Sequence, residues 1–546
     1  MSKACSGIAM TAGERKIHRT RRELHFGERV VRCFIHRPRS LHDSLAEAVA
    51  RNPDGEALVC GDERLTWRDL LKASARLAGG LSKCGIRPGD RVAVLLGNRS
   101  EWILTLFAVT RLGAIFVPLN IREQKPELEY ALNDCGAVLI IHEAGLASRL
   151  PASTEVRALR HRISIGRTPG SETIDVLLDD RAIVHPPAPV GEEDTAVILY
   201  TSGTTGRPKG AMLCHMNIVH SALHYELTMN LSKRDRSIVA VPLSHVTGFV
   251  AHVASMVRCA GTLILMKEFK APDFIALALR ERITHTLLVP AMCNLCLLEP
   301  DFKRLRASSW RIVGYGGAAM PPATIVKMSK LLPKLTLMNC YGATETSSPA
   351  TIMPKGMTSL HPESVGQPVA CAELMVIDDQ GSELPSGEVG EICIGGPMVV
   401  KGYWNNPTAT SAAFTGAFWH SGDLGSIDAD GFVYVSDRKK DLINRGGFKV
   451  YAAEVEHVLL NFPGVLECAV VSKPCPVLGE RVHAFVTLQD RKTTIPLLHA
   501  FCAERLSDYK VPETFTLLDR PLPRNANGKV LKRALRDELL ARVATS

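Results

Sequence analysis

The stretch at residues 200–210, YTSGTTGRPKG, places four hydroxyl side chains, three glycines and a lysine in one short loop after the apolar run at 196–199. Glycines let backbone amides approach an anion closely, hydroxyls donate hydrogen bonds to it, and a lysine adds positive charge. A flexible surface turn is the alternative for a segment of this composition. The composition predicts a phosphate-binding loop made of Thr201, Ser202, Gly203, Thr204, Thr205, Gly206 and Lys209.

This loop differs from the common ATPase loop. The pattern G-x-x-x-x-G-K-[ST] fails because Gly203 and Gly206 are too close together, and because Pro208 precedes Lys209 where that pattern has glycine. The spacing therefore disfavours a kinase-like ATPase.

The length of the chain indicates a multidomain protein. A chain of 546 residues is too long for one hydrophobic core and predicts roughly three to four compact units. The longest apolar window, at 103–119, is interrupted by Arg111 and Pro118, so it predicts a buried helix and a strand and not a membrane span.

Fifteen cysteines, an odd number scattered over a long chain, favour a reducing compartment such as the cytoplasm over a disulfide framework. The C-x-x-C motif at Cys293 and Cys296 lies in an apolar stretch without a second pair nearby. It is interpreted as two buried thiols, with a redox role as the alternative and no zinc site assigned.

The net charge of +9 is concentrated at the N-terminus, where the first forty residues carry ten Lys/Arg and three Glu. The remainder is nearly neutral, which argues against nucleic-acid binding. Residues 1–40 are predicted to form a basic extension, whose charge is compatible with an export signal, a transit peptide or a patch for anionic surfaces. The alternatives are a solvated extension or a true start at Met10.

Short apolar strands alternate with amphipathic helical stretches, which predicts an α/β architecture with parallel sheets covered by helices. Residues 91–96 and 283–289 are predicted strands, and 102–112 a helix. The charged break at 438–441 separates a turn-rich segment from a new compact pattern that starts with a predicted helix at 453–460. The predicted domains are therefore 1–40, 41–437 and 438–546.

Several further motifs follow the loop in a fixed order: YGATE at 341–345, SGD at 421–423, DRKKD at 437–441 and NANGK at 525–529. Weaker matches are RLGA at 111–114, PLSH at 242–245, GGA at 316–318 and GYW at 402–404. Together they resemble the adenylate-forming (AMP-binding) acyl-CoA synthetase family from about residue 40 to about residue 535. The resemblance implies a large N-terminal domain of mixed and parallel sheets flanked by helices, and a small mobile α+β C-terminal domain.

The resemblance also implies how ATP and Mg²⁺ would be held. Tyr341 matches the adenine-stacking aromatic residue, with Gly316 and Gly317 in the adenine wall. Asp423, which lies in a predicted turn, and Arg438 match the two residues that bind the ribose. Thr344 matches the residue that binds the α-phosphate, and Glu345 matches the carboxylate that binds Mg²⁺.

Catalysis in the resembled family has two half-reactions. Lys529 matches the mobile lysine that contacts the α-phosphate and the attacking carboxylate, although Asn525 stands where many relatives have threonine. Lys440 matches the hinge residue about which the small domain turns before coenzyme A attacks. Gly446 and Gly447 match the loop lining the pantetheine tunnel, and His245 matches the residue that gates or orients the acyl end of the pocket.

The sequence thus predicts an ATP-dependent carboxylic acid:CoA ligase, forming an acyl-AMP and then an acyl-CoA, for an apolar fatty or aryl acid. An amino-acid adenylation module is disfavoured because no aspartate lies near His245 and no carrier domain follows. A luciferase-like oxygenase, an enzyme with another acyl acceptor and a non-catalytic nucleotide-binding protein are the remaining alternatives. A non-catalytic protein is expected to have lost Lys529, Glu345 or Asp423, and all three are present.

Overall fold

The computed structural model describes residues 19–178, 186–201, 208–318, 320–446, 448–489, 493–525 and 528–544. Within these ranges the strands are β1 (Thr20–His25), β2 (Arg29–Phe34), β3 (Glu56–Cys60), β4 (Glu63–Thr66), β5 (Arg91–Leu95), β6 (Ile115–Pro118), β7 (Leu139–Glu143), β8 (His161–Ile165), β9 (Glu172–Thr173), β10 (Thr195–Thr201), β11 (Lys209–Cys214), β12 (Arg236–Val239), β13 (Thr262–Leu265), β14 (His285–Leu288), β15 (Ile312–Tyr315), β16 (Thr336–Ala343), β17 (Ser348–Ile352), β18 (Gln367–Pro368), β19 (Glu373–Ile377), β20 (Gly390–Gly395), β21 (Phe414–Thr415), β22 (Phe418–Ile427), β23 (Val433–Arg438), β24 (Ile443–Arg445), β25 (Phe448–Val450), β26 (Val465–Cys475), β27 (Gly479–Leu488) and β28 (Thr514–Leu518).

The α-helices of the same ranges are α1 (Leu41–Arg51), α2 (Trp67–Lys83), α3 (Ser100–Arg111), α4 (Lys125–Cys135), α5 (His215–Thr228), α6 (Ser255–Cys259), α7 (Ala271–Arg280), α8 (Pro290–Leu298), α9 (Pro322–Leu331), α10 (Pro407–Ala413), α11 (Ala452–Leu460), α12 (Ile495–Ala503) and α13 (Lys532–Ala544). A π-helix spans Thr247–Ala254, and a 3₁₀ turn spans Lys439–Asp441. Among these helices none is long and apolar enough to cross a membrane.

Two large sheets with parallel interiors form the main body. The first has strand order β11-β10-β6-β5-β7-β8-β9, and the second has order β18-β17-β16-β15-β14-β12-β13-β3-β4. Antiparallel pairs occur only at the edges of these sheets: β10 with β11, β16 with β17, β17 with β18, and β3 with β4. The interior strands are short and apolar on both faces, which is what helices on both sides of a parallel sheet require.

A core of buried aromatic residues joins the helices to the first sheet. Trp67 begins α2 and Trp102 lies in α3, and both are fully buried. Trp102 packs edge-on against Phe116 of β6 with ring centroids 4.9 Å apart, and it also contacts Phe249 of the π-helix. Because aromatic side chains of this size dominate the burial of apolar surface, the contacts of Trp102 fix how α3 lies on the sheet.

A third and a fourth sheet follow these two in the chain. The third is antiparallel, with order β19-β20-β22-β21 and β23 added beside β22. The fourth, with order β25-β24-β27-β26 and β28 parallel to β27, packs with α11, α12 and α13 into a separate C-terminal unit. The predicted α/β fold, with mixed and parallel sheets in the large unit and an α+β small unit, is confirmed.

The described part of the basic N-terminal segment is a β-hairpin, β1 and β2, that packs onto the large unit. The Arg37 side chain is only 1% exposed and pairs with Glu23 on the hairpin and Glu192 before β10. The hydrogen bond from Arg37 holds the pKa of Glu23 far below its ordinary value. Arg37 therefore attaches the hairpin to the large unit.

Candidate functional site

The predicted phosphate-binding loop connects two antiparallel strands, β10 and β11. Thr201 pairs directly with Lys209, and Tyr200 pairs with Gly210. The loop residues Ser202, Gly203, Thr204, Thr205 and Gly206 lie outside the described residues. A helix begins only at His215, so the loop has a strand on each side instead of the strand-to-helix connection of the common ATPase loop.

The GYW segment extends the hairpin on its other side. The amide of Met212 donates to the carbonyl of Gly402, and the amide of Trp404 donates to the carbonyl of Gly210, at 3.0 and 2.7 Å. Tyr403 lies between these two bonds, opposite Ala211 in an antiparallel bridge. Its ring lies beside Lys209, the first residue of β11, with the Nζ atom of that lysine 4.3 Å from the ring centroid.

A tight turn between β16 and β17 presents Thr344 and Glu345. The Thr346 hydroxyl accepts a hydrogen bond from the Ala343 amide at 2.9 Å and donates one to the Ser348 carbonyl at 2.7 Å. Gly342 is required here because a Cβ atom would lie 1.9 Å from the Ser348 carbonyl oxygen. Backbone strain adds to this, since Ser348 has a φ of 88°.

The Glu345 carboxylate is buried, with one oxygen engaged and the other open. The Tyr403 hydroxyl donates to Oε1 at 2.9 Å, and among the described residues Oε2 has no hydrogen-bond partner. Burial and the neighbouring carboxylate raise the pKa of Tyr403 well above its ordinary value, so the hydroxyl stays a donor. A fixed carboxylate with one open oxygen is a hard ligand that fits Mg²⁺.

The predicted adenine and ribose residues converge in one hydrogen-bonded set. The Tyr341 hydroxyl donates to Oδ2 of Asp423 at 2.6 Å, and Nε of Arg438 pairs with Oδ1 at 2.6 Å. Burial and the Asp423 carboxylate raise the pKa of Tyr341 well above its ordinary value. The prediction that Asp423 lies in a turn is wrong, because residues 421–423 are inside β22, where Asp423 is opposite Arg438 of β23.

The two glycines predicted for the adenine wall follow β15. A Cβ atom at Gly316 would lie 2.2 Å from the Cys340 carbonyl oxygen on β16, so the close approach of these two segments admits no side chain. Gly317 has a φ of +78°, a conformation that favours glycine. The glycines thus end β15 beside Cys340, the residue before Tyr341.

His245 lies in the loop between β12 and the π-helix. The buried side chain of Asn98 holds this loop, donating to the carbonyls of Val239 and Val241 and accepting from the Leu243 amide. The π-helix follows at Thr247, and such helices are frequent at functional sites.

The imidazole of His245 is neutral, since burial lowers its pKa to about 4. Its Nδ1 atom accepts a hydrogen bond from the Thr247 amide at 3.2 Å. The proton is therefore on Nε2, which is the nitrogen left to contact a ligand. A neutral imidazole with a fixed tautomer suits orientation of a substrate better than charge stabilisation.

The predicted hinge is bounded by contacts on both sides. Lys439 pairs with Glu391 on β20 at 3.1 Å, whereas Oδ2 of Asp437 accepts a hydrogen bond from the Ala453 amide near the start of α11 at 3.2 Å. Lys440 is in the 3₁₀ turn between these contacts.

The two loops of the small unit that carry predicted residues are both turns. Gly446 has a φ of +58°, and its amide donates to the Leu478 carbonyl at 2.8 Å, while Gly447 lies outside the described residues. The Lys529 side chain is exposed, and its backbone amide donates to Oδ1 of Asn525 at 2.9 Å. The departure at Asn525 therefore supplies a side-chain acceptor that closes the lysine loop.

The sequence interpretation missed two residues. Tyr403 stands out in the sequence only as part of the weak GYW match, although it contacts both the predicted phosphate lysine and the predicted metal carboxylate. Asn98 carried no signal, since a buried asparagine that bonds to three loop carbonyls is not distinguishable in sequence from a turn residue. The roles predicted for the other site residues stay predictions.

The sequence model of the AMP-binding enzyme matches residues 45–404, and that of the AMP-binding enzyme C-terminal domain matches residues 454–529. The chain belongs to the AMP-binding enzyme family. It is 36% identical to a feruloyl-CoA synthase of Amycolatopsis sp over 487 residues, 89% of this chain and 96% of that protein. It is 33% identical to a long-chain fatty acid–CoA ligase of Mycobacterium tuberculosis over 487 residues, 88% of this chain and 94% of that protein.

Among solved structures, the chain is similar to the o-succinylbenzoate CoA synthetase of Bacillus subtilis in complex with its acyl-adenylate intermediate. The TM-score is 0.81 at 31% identity, covering 90% of this chain and 98% of that one. The same synthetase has also been solved with ATP and a magnesium ion. The predicted family of adenylate-forming CoA ligases is confirmed.

Proposed function

We propose that this protein is an ATP-dependent carboxylic acid:CoA ligase that forms an acyl-AMP intermediate and then an acyl-CoA thioester. The observation that carries the proposal is the convergence of Tyr341, Asp423 and Arg438. These residues come from separate parts of the sequence yet form one hydrogen-bonded set beside the glycine wall. Relatives with activities of this class cover nearly the whole chain.

The nucleotide is bound at three places. The Tyr341 ring faces the adenine with Gly316 and Gly317, and the Asp423 carboxylate accepts the ribose hydroxyls through the lone pairs that Tyr341 and Arg438 leave open. The hairpin loop with Lys209 and the Thr344 hydroxyl hold the phosphates. These contacts bring the α-phosphate to the substrate carboxylate, so the protein acts chiefly by orienting the two reactants.

Glu345 would hold Mg²⁺ through Oε2. When bound, the ion would neutralise charge on the phosphates of ATP. The lysine at 529 adds a positive charge at the α-phosphate during the first half-reaction only. Rotation about Lys440 then withdraws it and presents the loop at Gly446 and Gly447 to coenzyme A, whose own thiol is the nucleophile.

The acid is an apolar fatty or aryl acid. The residues that follow His245 include Val246, Phe249 and Val250, which are buried and apolar. They carry no charged group that could bind a polar acyl chain. The relatives are named for ferulate and for long-chain fatty acids, which are both of this kind. We place the enzyme in the cytoplasm, because the fourteen cysteines of the described residues are all free thiols.

The test is pyrophosphate release from Mg-ATP across a panel of short aliphatic, long aliphatic and aromatic acids, with and without coenzyme A. Acid-dependent release, with AMP and an acyl-CoA as products, is expected. Release that never yields a thioester would point to another acyl acceptor, and no release with any acid would favour a non-catalytic nucleotide-binding protein.

The assignment of Lys529 has its own test. Lys529→Ala should slow adenylation by about 10² to 10³, the usual loss for one preorganised charged contact. Thioester formation from a supplied acyl adenylate should be retained, because the lysine is withdrawn in that step. Lys473→Ala, which removes a lysine from β26 of the same unit, is the matched control. An equal loss in both half-reactions for Lys529→Ala would refute the assignment.

A further inference from the structure

Tyr403 stands between two groups of opposite charge. The Nζ atom of Lys209 lies 4.3 Å from the ring centroid, and Oε1 of Glu345 accepts the phenol hydroxyl at 2.9 Å. Although both charges contact the same side chain, no ion pair joins Lys209 to Glu345 in the described part of the chain. The tyrosine is only 4% exposed, so a buried side chain lies between the two charges.

The backbone around Tyr403 is fixed independently of either charge. Its amide donates to the Thr410 hydroxyl at 2.9 Å, and the antiparallel bridge to Ala211 ties it to β11. Gly402 precedes it with a φ of +155°, and a Cβ atom there would lie 2.6 Å from the Thr410 side chain. The ring is thus held in place by the sheet and by α10, and the two charged side chains adjust to it.

We propose that Tyr403 is a positioning residue for magnesium-bound ATP, an inference that rests on the proposed function. The hydroxyl orients Glu345 so that Oε2 remains available for the ion, and the ring holds the Lys209 ammonium on its face. Without the hydroxyl, the carboxylate is released to turn towards the lysine. The ion pair formed would engage the oxygen that the metal needs and the charge that the phosphates need.

The test separates the hydroxyl from the ring. Tyr403→Phe keeps the face that contacts Lys209 and removes only the donor to Glu345. Dissociation constants for ATP are measured by calorimetry, once with saturating Mg²⁺ and once with excess EDTA, in the absence of any acid so that no turnover occurs. We expect Tyr403→Phe to weaken Mg-ATP binding about tenfold while metal-free ATP changes less than about twofold. Tyr403→Leu, which also removes the ring, should weaken both.

Tyr434→Phe is the matched control, because it removes a hydroxyl that donates to the Asp428 carboxylate, at the β22–β23 connection. It should leave both constants unchanged. In a Glu345→Gln background, Tyr403→Phe should cause no further loss, because the two residues act through one contact. Unchanged Mg-ATP binding in Tyr403→Phe, or an equal loss with and without the metal, would overturn the proposal. A wild-type protein that binds no ATP would instead refute the proposed function, and the inference with it.

Discussion

The ribose assignment of Asp423 gives the sharpest prediction, because both oxygens of this carboxylate already have partners. Tyr341 donates to Oδ2 and Arg438 pairs with Oδ1, each at 2.6 Å. Asp423→Asn replaces one carboxylate oxygen by an NH₂ group, which can only donate a hydrogen bond. The variant therefore removes the negative charge and one acceptor while preserving the shape of the side chain.

The expected loss follows from the contacts. A hydrogen bond to a charged group contributes roughly 1.5–3 kcal/mol. The two ribose hydroxyls would donate to the same two Asp423 oxygens that already accept from Tyr341 and Arg438, so the two bonds together should contribute an amount near the lower end of this range. We take about 2 kcal/mol for both together, which is about a 30-fold weaker binding of ATP. The effect on stability should be smaller, because Arg438 is 39% exposed and its ion pair is screened by solvent.

The assay compares ATP with 2′,3′-dideoxy-ATP by calorimetry, with thermal unfolding as the measure of stability. Wild-type protein should prefer ATP by about 30-fold, and Asp423→Asn should abolish most of that preference. Asp378→Asn, in a surface turn where the carboxylate also accepts two backbone amides, is the matched control and should change nothing. A variant at Asp423 that discriminates the two nucleotides as strongly as wild type would show that the carboxylate does not bind the ribose.

Three further outcomes are expected. Lys440→Pro stiffens the predicted hinge, so pyrophosphate release should be retained and thioester formation slowed; an unaffected second step would remove the hinge assignment. Gly316→Ala places a methyl group against the Cys340 carbonyl, so the melting temperature and ATP affinity should both fall, whereas Gly145→Ala, with open space at the Cβ position, should be tolerated. Burial lowers the pKa of His224 to about 3, so as the pH falls the unfolded chain binds a proton at this histidine before the folded chain does. The urea concentration at the midpoint of unfolding should therefore fall as the pH drops below about 6.5. A midpoint that does not change with pH would contradict this.

The sequence was most informative where a pattern of residue types is compatible with few local structures. The buried strand at 91–96 was predicted from residue type alone, because a short apolar run of this kind has few structural solutions, whereas Gly316 and Gly317 were predicted from the family's motifs. The order of these motifs then implied the fold, which the structure confirms.

Prediction failed where a local signal was overridden by sheet pairing. Residues 421–423 contain serine, glycine and aspartate, which favour a turn, yet they continue β22 because Gly422 adopts a φ of +67° within the strand. The hairpin at 20–34 was likewise not predicted, because it is attached through Arg37, whose ion pairs with Glu23 and Glu192 no local pattern reveals. Contacts between distant segments, such as Tyr403 with Glu345, have no sequence signature at all.

The bond from the Ala453 amide to Asp437 spans the predicted hinge, since one residue precedes position 440 and the other follows it. The predicted rotation about the hinge would break this bond without unfolding either unit, and the Ala453 amide would then be exposed to solvent. The rate of deuterium uptake at the Ala453 amide would therefore report how often the predicted domain rotation occurs. An acyl adenylate should speed uptake at this one amide if it favours the rotated arrangement, while amides in the core of β26 exchange at an unchanged rate.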